Sequence, residues 1–132
     1  MREKPACLVA VVDDDPSIGE ATTSLLQANG FKTRCFRSAA EFLNSAELEE
    51  TACLVLDLRL SGMSGLELQH NLAANHRRIP TIFITAHGTP ELRERAMRAG
   101  ATAFLSKPFS EEALLNSVRR TFEQGPETQE GK

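Results

Sequence analysis

The sequence has few cysteines, which disulfide scaffolds and zinc sites need, and it has no long apolar run of the kind that spans a membrane. Only three cysteines (Cys7, Cys35 and Cys53) occur in 132 residues, and none has C-x-x-C or zinc-like spacing. Each lies in an apolar stretch, which predicts buried, reduced thiols and a cytoplasmic location. No apolar run approaches the roughly 18–20 residues that cross a bilayer, so no membrane association is predicted. The polar start MREKP predicts that no signal peptide is present.

Aspartate is scarce as well, and its positions are uneven. The chain has fourteen glutamates but four aspartates, which fall in two places: Asp13, Asp14 and Asp15 together, and Asp57. Solubility alone would not separate the two acids in this way, so short carboxylates after two apolar runs indicate a geometric requirement. The net charge of -3 offers no general attraction to nucleic acid or to an anionic membrane, and neither is predicted as a partner.

Short apolar runs alternate with amphipathic segments along the chain. These predicted strands cover residues 7–12, 31–36, 52–56, 80–85 and 101–106. The second run alternates apolar and polar residues, as a half-exposed edge strand does. Pro16 suits the first turn of a helix, and Gly30 and Gly100 suit helix ends. The pattern predicts one α/β domain over residues 1–123, with a doubly wound parallel sheet between two layers of helices. Residues 124–132 lack apolar periodicity and are predicted to be a disordered tail or the start of a linker.

Reactive side chains stand at the ends of four predicted strands. Asp13 and Asp14 follow the first strand, Asp57 the third and Lys107 the fifth, while Thr85 ends the fourth. In an open parallel sheet these ends share the edge where ligands bind. Carboxylates gathered there repel one another unless a cation joins them, and hard oxygen ligands suit Mg²⁺ better than zinc. Such a set suits phosphoryl transfer to a carboxylate. A nucleotide-binding G-x-x-x-x-G-K-[ST] loop is absent, and the chain is too short for a kinase.

Four motifs carry a resemblance to a known family. VVDDDPSIG, LVLDLRLSGMSGLEL, FITAHG and FLSKPF occur in this order, and together they resemble the receiver domains of two-component response regulators. The residues of these motifs are most similar to those of the subgroup that includes the nitrogen-fixation regulator FixJ, and the resemblance covers about residues 6–123. The resemblance implies a flavodoxin-like sheet of order 2-1-3-4-5 and a phosphorylation-controlled switch. It also implies a sensor histidine kinase or phosphotransfer protein as donor, and a homodimer as one outcome of phosphorylation.

The resemblance also implies roles for the acidic residues. Asp57 would be the phosphoacceptor, Asp14 a direct Mg²⁺ ligand, and Asp13 a contributor mainly through water and charge. The backbone carbonyl of Arg59 would complete the coordination by the protein. The Arg59 side chain stands where the family varies to tune the lifetime of the phosphoryl group. Ser61 departs from the proline that is usual at its position, which loosens the loop after Asp57.

Further roles follow from the resemblance at the other strand ends. Thr85 and Lys107 would hold phosphoryl oxygens, and His87 would be a second tuning residue. Phe104 stands where the family has an aromatic side chain that turns inward when Thr85 moves, but it lacks the hydroxyl of the commoner tyrosine. The bond between Lys107 and Pro108 resembles the cis peptide of the family.

Several plainer interpretations stay open. The charge of Asp15 can serve only to complement the dipole of the following helix, and Lys107 can be a solvated surface charge. Arg93, Arg95 and Arg98 are either a partner surface or an exposed basic helix face.

Two other functions also compete. A phosphatase with an aspartyl intermediate, of the haloacid-dehalogenase kind, needs a second carboxylate two residues after the nucleophile, where this chain has Arg59. A degenerate receiver would bind partners without phosphorylation. A stand-alone regulator and a piece of a DNA-binding regulator are equally compatible with the sequence.

Overall fold

The computed structural model describes residues 7–60, 62–86 and 88–124 of the chain. They form a five-stranded parallel sheet in the order β2-β1-β3-β4-β5, which confirms the predicted doubly wound fold. The strands are β1 (Leu8–Val12), β2 (Thr33–Phe36), β3 (Thr51–Asp57), β4 (Thr81–Thr85) and β5 (Ala103–Ser106). The helices are α1 (Pro16–Ala28), α2 (Ala39–Leu43), α3 (Gly65–Ala74), α4 (Pro90–Arg98) and α5 (Glu111–Gln124), with a 3-10 turn at Leu48–Glu50.

Both faces of the sheet are buried. Along β1 the residues alternate between the faces: Ala10 and Val12 contribute to one apolar cluster, while Val9 and Val11 contribute to the other. The first cluster includes side chains from α2, α3 and α4 (Phe42, Leu68, Leu72 and Ala96). The second includes side chains from α1 and α5 (Leu26, Leu114 and Val118). A strand covered on both sides reads as a continuous apolar run, which is why the central strands were recognisable in the sequence.

Two strands begin later than the sequence predicts, because helix ends occupy their first residues. At the end of α1, Gly30 has φ +91° and the Phe31 amide donates to the Leu26 carbonyl. At the end of α4, Gly100 has φ +104° and the Ala101 amide donates to the Ala96 carbonyl. These bonds close the helices in the way that left-handed glycine caps do. The predicted strand starts at residues 31 and 101 therefore move to Thr33 and Ala103.

Two further predictions concern the end of the domain and the burial of the cysteines. The final helix includes Gln124, one residue beyond the predicted domain end, and residues 125–132 lie outside the described residues. The prediction of three buried thiols is wrong for Cys7, which is exposed because β1 begins only at Leu8. Cys35 is half-buried and Cys53 is buried. Within the described part of the chain, no helix is both long and apolar enough to cross a membrane.

We expect the three thiols to react with iodoacetamide at clearly different rates. Cys7 should be alkylated first because it is exposed, and Cys35 should follow more slowly. Burial raises the pKa of the Cys53 thiol to about 11, so little of the reactive thiolate forms near neutral pH. Peptide mass spectrometry over a time course measures the order. Alkylation of Cys53 as early as that of Cys7, without denaturant, would contradict the described packing.

A buried amide on α3 gives a prediction about stability. Gln69 is 8% exposed, and its Oε1 has no hydrogen-bond partner among the described residues. A buried acceptor left unpaired costs about 1–3 kcal/mol. The replacement Gln69→Met keeps a similar side-chain length without a polar atom, so we expect the free energy of unfolding to rise by about 1 kcal/mol in urea titrations. Gln27→Met is the matched control, because Gln27 Nε2 donates to the Thr33 carbonyl at 3.2 Å. An equal gain in both variants would show that the unpaired oxygen is not the cause.

Candidate functional site

Three carboxylates meet at the carboxyl end of the central strands. Asp13 and Asp14 follow β1, Asp57 ends the neighbouring β3, and one carboxylate oxygen of each lies within 4.8 Å of the others. Asp13 and Asp57 are only 1% and 7% exposed, whereas Asp14 is exposed. The fold thus brings the predicted acidic residues together and leaves one of them open to solvent.

An ammonium group lies between two of these carboxylates. Lys107 follows β5, and its Nζ is 3.1 Å from Asp57 Oδ2 and 3.5 Å from Asp13 Oδ2. Its backbone amide donates to the Thr85 carbonyl at 2.8 Å, which fixes the lysine at the end of β4. The peptide bond between Lys107 and Pro108 is cis, as the resemblance implied. Lys107 is therefore a partly buried residue of the site and not a solvated surface charge.

The pKa values of two groups report the electrostatics of this cluster. Burial is the largest influence on Asp13 and raises its pKa, and the nearby Asp57 charge acts in the same direction. The Asp15 amide and the Lys107 ammonium oppose this shift without cancelling it. For Lys107, burial favours the neutral amine, but hydrogen bonds and attraction to Asp57 and Asp13 outweigh it and raise the pKa. The lysine is thus held in its charged form by the carboxylates.

Backbone amides orient the two buried carboxylates. The Arg59 amide donates to Asp57 Oδ1 at 2.9 Å, and the Asp15 amide donates to Asp13 Oδ1 at the same distance. Each carboxylate therefore has one oxygen fixed by the loop that follows it and the other directed to Lys107. The Asp15 side chain itself caps α1 by accepting from the Ser17 and Ile18 amides, so its carboxylate lies at the helix N-terminus, where the plainer interpretation placed a charge that complements the dipole.

The donor set fits a hard divalent cation. All three candidate ligand atoms are carboxylate oxygens, which Mg²⁺ prefers, and the exposed Asp14 leaves room for water ligands. One ammonium against three carboxylates leaves two formal negative charges, which one divalent ion would neutralise. Asp13, Asp14 and Asp57 are the residues that would hold it.

Thr85 and Phe104, the predicted switch pair, lie close together. Thr85 ends β4 and is 1% exposed, while Phe104 on β5 is 8% exposed and has its ring inside the protein. A Cβ atom placed on Gly88 would lie 3.1 Å from Thr85 Cγ2 and 2.9 Å from Phe104 Cε1. Both side chains therefore pack against the same glycine. The predicted tuning residue His87 and the departure at Ser61 lie outside the described residues.

Sequence reasoning missed two glycines that shape the site. At Gly65, the first residue of α3, a Cβ would lie 2.7 Å from the Asp57 carbonyl oxygen and 3.0 Å from Leu58 Cα. Gly88 has the corresponding role beside Thr85 and Phe104. Both glycines occur within the motifs that carry the resemblance, which was the available signal. Both glycines allow a helix or loop to approach a strand end closely. This requirement depends on tertiary packing, so local sequence patterns do not reveal it.

Comparisons with known proteins agree with this geometry. Residues 9–119 match the response regulator receiver domain family. The chain is 41% identical over 123 residues to the response regulator protein TmoT of Ectopseudomonas mendocina, which covers 93% of this chain and 56% of that protein. It is 39% identical over 121 residues to the transcriptional regulatory protein FixJ of Azorhizobium caulinodans, with 89% and 57% covered. The structure of the response regulator StyR has a TM-score of 0.85 and 45% identity, and the match covers 98% of this chain and 64% of that one.

The match extends over only part of these regulators. The chain spans a little over half the length of the curated relatives, 56% of TmoT and 57% of FixJ. Receiver domains are the regulatory phosphoacceptors of two-component signalling, have an acidic pocket that binds Mg²⁺, and partner with histidine kinases or phosphotransfer proteins. The predicted resemblance, including the likeness to FixJ, is confirmed, and the chain belongs to the response regulator receiver domain family.

Proposed function

We propose that this chain is a phosphorylation-controlled switch in which Asp57 accepts a phosphoryl group from a histidine kinase or a phosphotransfer protein, in a reaction that requires Mg²⁺. The observation that carries the proposal is the position of the Asp57 carboxylate. It ends β3 beside two further carboxylates, with the Lys107 ammonium 3.1 Å away. A single carboxylate with an ammonium partner would be an ordinary ion pair, but three carboxylates at one strand edge need a further cation.

In the proposed transfer, one carboxylate oxygen of Asp57 attacks phosphorus and the bond from phosphorus to the donor imidazole nitrogen breaks. The electron pair of that bond stays with the leaving imidazole. The Arg59 amide restricts rotation of the Asp57 carboxylate, so the nucleophile is held in position before the donor arrives. Lys107 and Thr85 are assigned to the phosphoryl oxygens. Mg²⁺, held by Asp13, Asp14, Asp57 and the Arg59 carbonyl, would neutralise charge on those oxygens.

The proposed switch acts through the packing around Gly88. Phosphorylation would add negative charge and acceptor oxygens beside the Lys107 ammonium, at the sheet edge where β4 ends in Thr85. A Thr85 side chain drawn to that charge leaves the contact with Gly88 that it shares with the Phe104 ring. Phosphorylation would then favour one of two packings of the surface formed by α4, β5 and α5, which we call the α4–β5–α5 surface. That surface would control the output, through a homodimer or another partner and with transcription as one readout.

The phosphatase alternative has no support from the site. A phosphatase of that kind needs a second carboxylate two residues after the nucleophile, and the side chain at that position is the guanidinium of Arg59. We assign to the chain only its own phosphorylation and slow autodephosphorylation. The cytoplasmic location and the lack of contact with nucleic acid or membrane stay predictions.

Incubation with acetyl phosphate and Mg²⁺ tests phosphoryl acceptance directly. We expect intact-mass spectrometry to show a gain of one phosphoryl group, and we expect Asp57→Asn or an excess of EDTA to abolish it. Asp14→Asn should slow the gain strongly because it replaces a charged carboxylate ligand with a neutral amide. Asp15→Asn is the matched control, since its side chain caps α1 and asparagine can keep that cap. The absence of any gain in the wild-type chain would favour the degenerate receiver, and a gain retained in Asp57→Asn would move the acceptor to another residue.

The lifetime of the phosphorylated state should depend on Arg59. Its side chain is exposed two residues after Asp57, and we infer that a long cation at this position would obstruct the approach of water to the acyl phosphate. We expect Arg59→Asn to accelerate dephosphorylation by up to about tenfold, which corresponds to about 1.4 kcal/mol of activation free energy. Loss of phosphorylated protein after removal of acetyl phosphate gives the rate. Arg120→Asn, at an exposed position on α5, is the control. Equal lifetimes in wild type and Arg59→Asn would remove the tuning role.

A further inference from the structure

An open groove of about 290 Å³ separates α3 from α4. Leu66 and His70 on α3 line one side of the groove, and Arg95 and Arg98 on α4 line the other, together with Ala99, the residue directly after α4. The lining thus combines two guanidinium groups and an imidazole with an apolar leucine and alanine. No carboxylate is among these lining residues. A groove of this composition is complementary to an anion that also carries an apolar group.

The two arginines differ in their present partners. Arg98 forms an ion pair with Glu94 at 2.8 Å, but both side chains are largely exposed. Exposed pairs of this kind contribute little to stability, so the Arg98 guanidinium can change partners at small cost. Arg95 is exposed and makes no ion pair with any residue in the described part of the chain. Two guanidinium groups are therefore available to an incoming anion.

We propose that this groove binds an acidic peptide segment of a partner protein. Carboxylates of the segment would pair with Arg95 and Arg98, because a guanidinium presents parallel N–H donors that match a carboxylate. An aliphatic side chain of the segment would pack on Leu66 and Ala99. The open groove has room for a few side chains of such a segment. The groove lies between α3 and α4, so it shares α4 with the α4–β5–α5 surface and adds α3 to it.

The surrounding charges favour a short acidic segment over an extended polyanion. Glu91 and Glu94 lie on α4, and the exposed Glu67 lies on α3 near Leu66. These carboxylates, together with the net charge of -3, would repel the phosphate backbone of a nucleic acid. A segment with one or two carboxylates can contact the arginines without approaching the flanking glutamates.

Peptide binding to the full 132-residue chain tests the proposal. The probe is a fluorescein-labelled, C-terminally amidated peptide with two carboxylates, AAELEAA, with AAQLQAA as its neutral counterpart, and anisotropy measures binding at low salt. We expect only the acidic peptide to bind, and we expect Arg95→Gln with Arg98→Gln to weaken it by about tenfold or more. Arg119→Gln with Arg120→Gln is the matched control, since these arginines are exposed on α5 and the change in net charge is the same. The control should change affinity less than about twofold.

The location of the bound peptide is the second readout. Amide chemical shifts should change at Leu66, His70 and Ala99, and the binding should persist in Asp57→Asn, which separates this proposal from the phosphoacceptor role of Asp57. Equal weakening in both double variants, shift changes confined to α5, or no binding of the acidic peptide would each overturn the proposal. If a DNA duplex or phosphatidylserine vesicles bind through Arg95 and Arg98 where the peptide does not, the groove serves a nucleic acid or a membrane instead.

Discussion

The contact of one ammonium group with two buried carboxylates is the interaction on which the rest of the site depends. Lys107 Nζ reaches Asp57 and Asp13, so it joins the end of β5 to the ends of β3 and β1. In the sheet order, β4 lies between β5 and β3, and the lysine is held there by its amide bond to the Thr85 carbonyl. Buried ion pairs are weak sources of stability because desolvation offsets their attraction. The burial of two carboxylates around one lysine is therefore better explained by a functional requirement of the site than by a contribution to the stability of the fold.

Two glycines allow the rest of the fold to approach this cluster. Neither Gly65 nor Gly88 has φ in the left-handed region, so the requirement at both positions is the absence of a side chain and not unusual backbone geometry. At Gly65, a methyl group would meet the Asp57 carbonyl at 2.7 Å, and α3 would have to move away from β3. At Gly88, it would meet the Phe104 ring and the Thr85 methyl group. In the proposed switch, the contact at Gly88 would transmit a shift of Thr85 to the loop that contains this glycine.

Sequence patterns predicted the parts of this molecule that depend on local order. Continuous apolar runs identified strands covered on both faces, and the segregation of four aspartates from fourteen glutamates indicated the strand edge where they meet. The boundaries of two strands were predicted too early, because the helix caps at Gly30 and Gly100 include the residues that directly follow these glycines. Cys7 was wrongly predicted to be buried, because β1 begins only after it. The contacts at Gly65 and Gly88, the unpaired Gln69 oxygen and the groove between α3 and α4 depend on how distant segments pack. No periodicity or spacing in the sequence encodes them.

The two proposed sites are joined by the elements that carry them. The loop after Asp57 leads into α3, which begins against the Asp57 carbonyl at Gly65, and the loop after Thr85 leads into α4. The walls of the groove are thus the two helices whose first turns follow the site. A partner that bridges Arg95 and Arg98 to α3 would favour one relative position of these helices, and a phosphoryl group on Asp57 would favour one position of Thr85 and of the loop before α4. If these positions belong to the same packing, each event strengthens the other by the same factor, because coupling between two binding equilibria is reciprocal. If they belong to different packings, the partner would retain the unphosphorylated state and phosphorylation would release it.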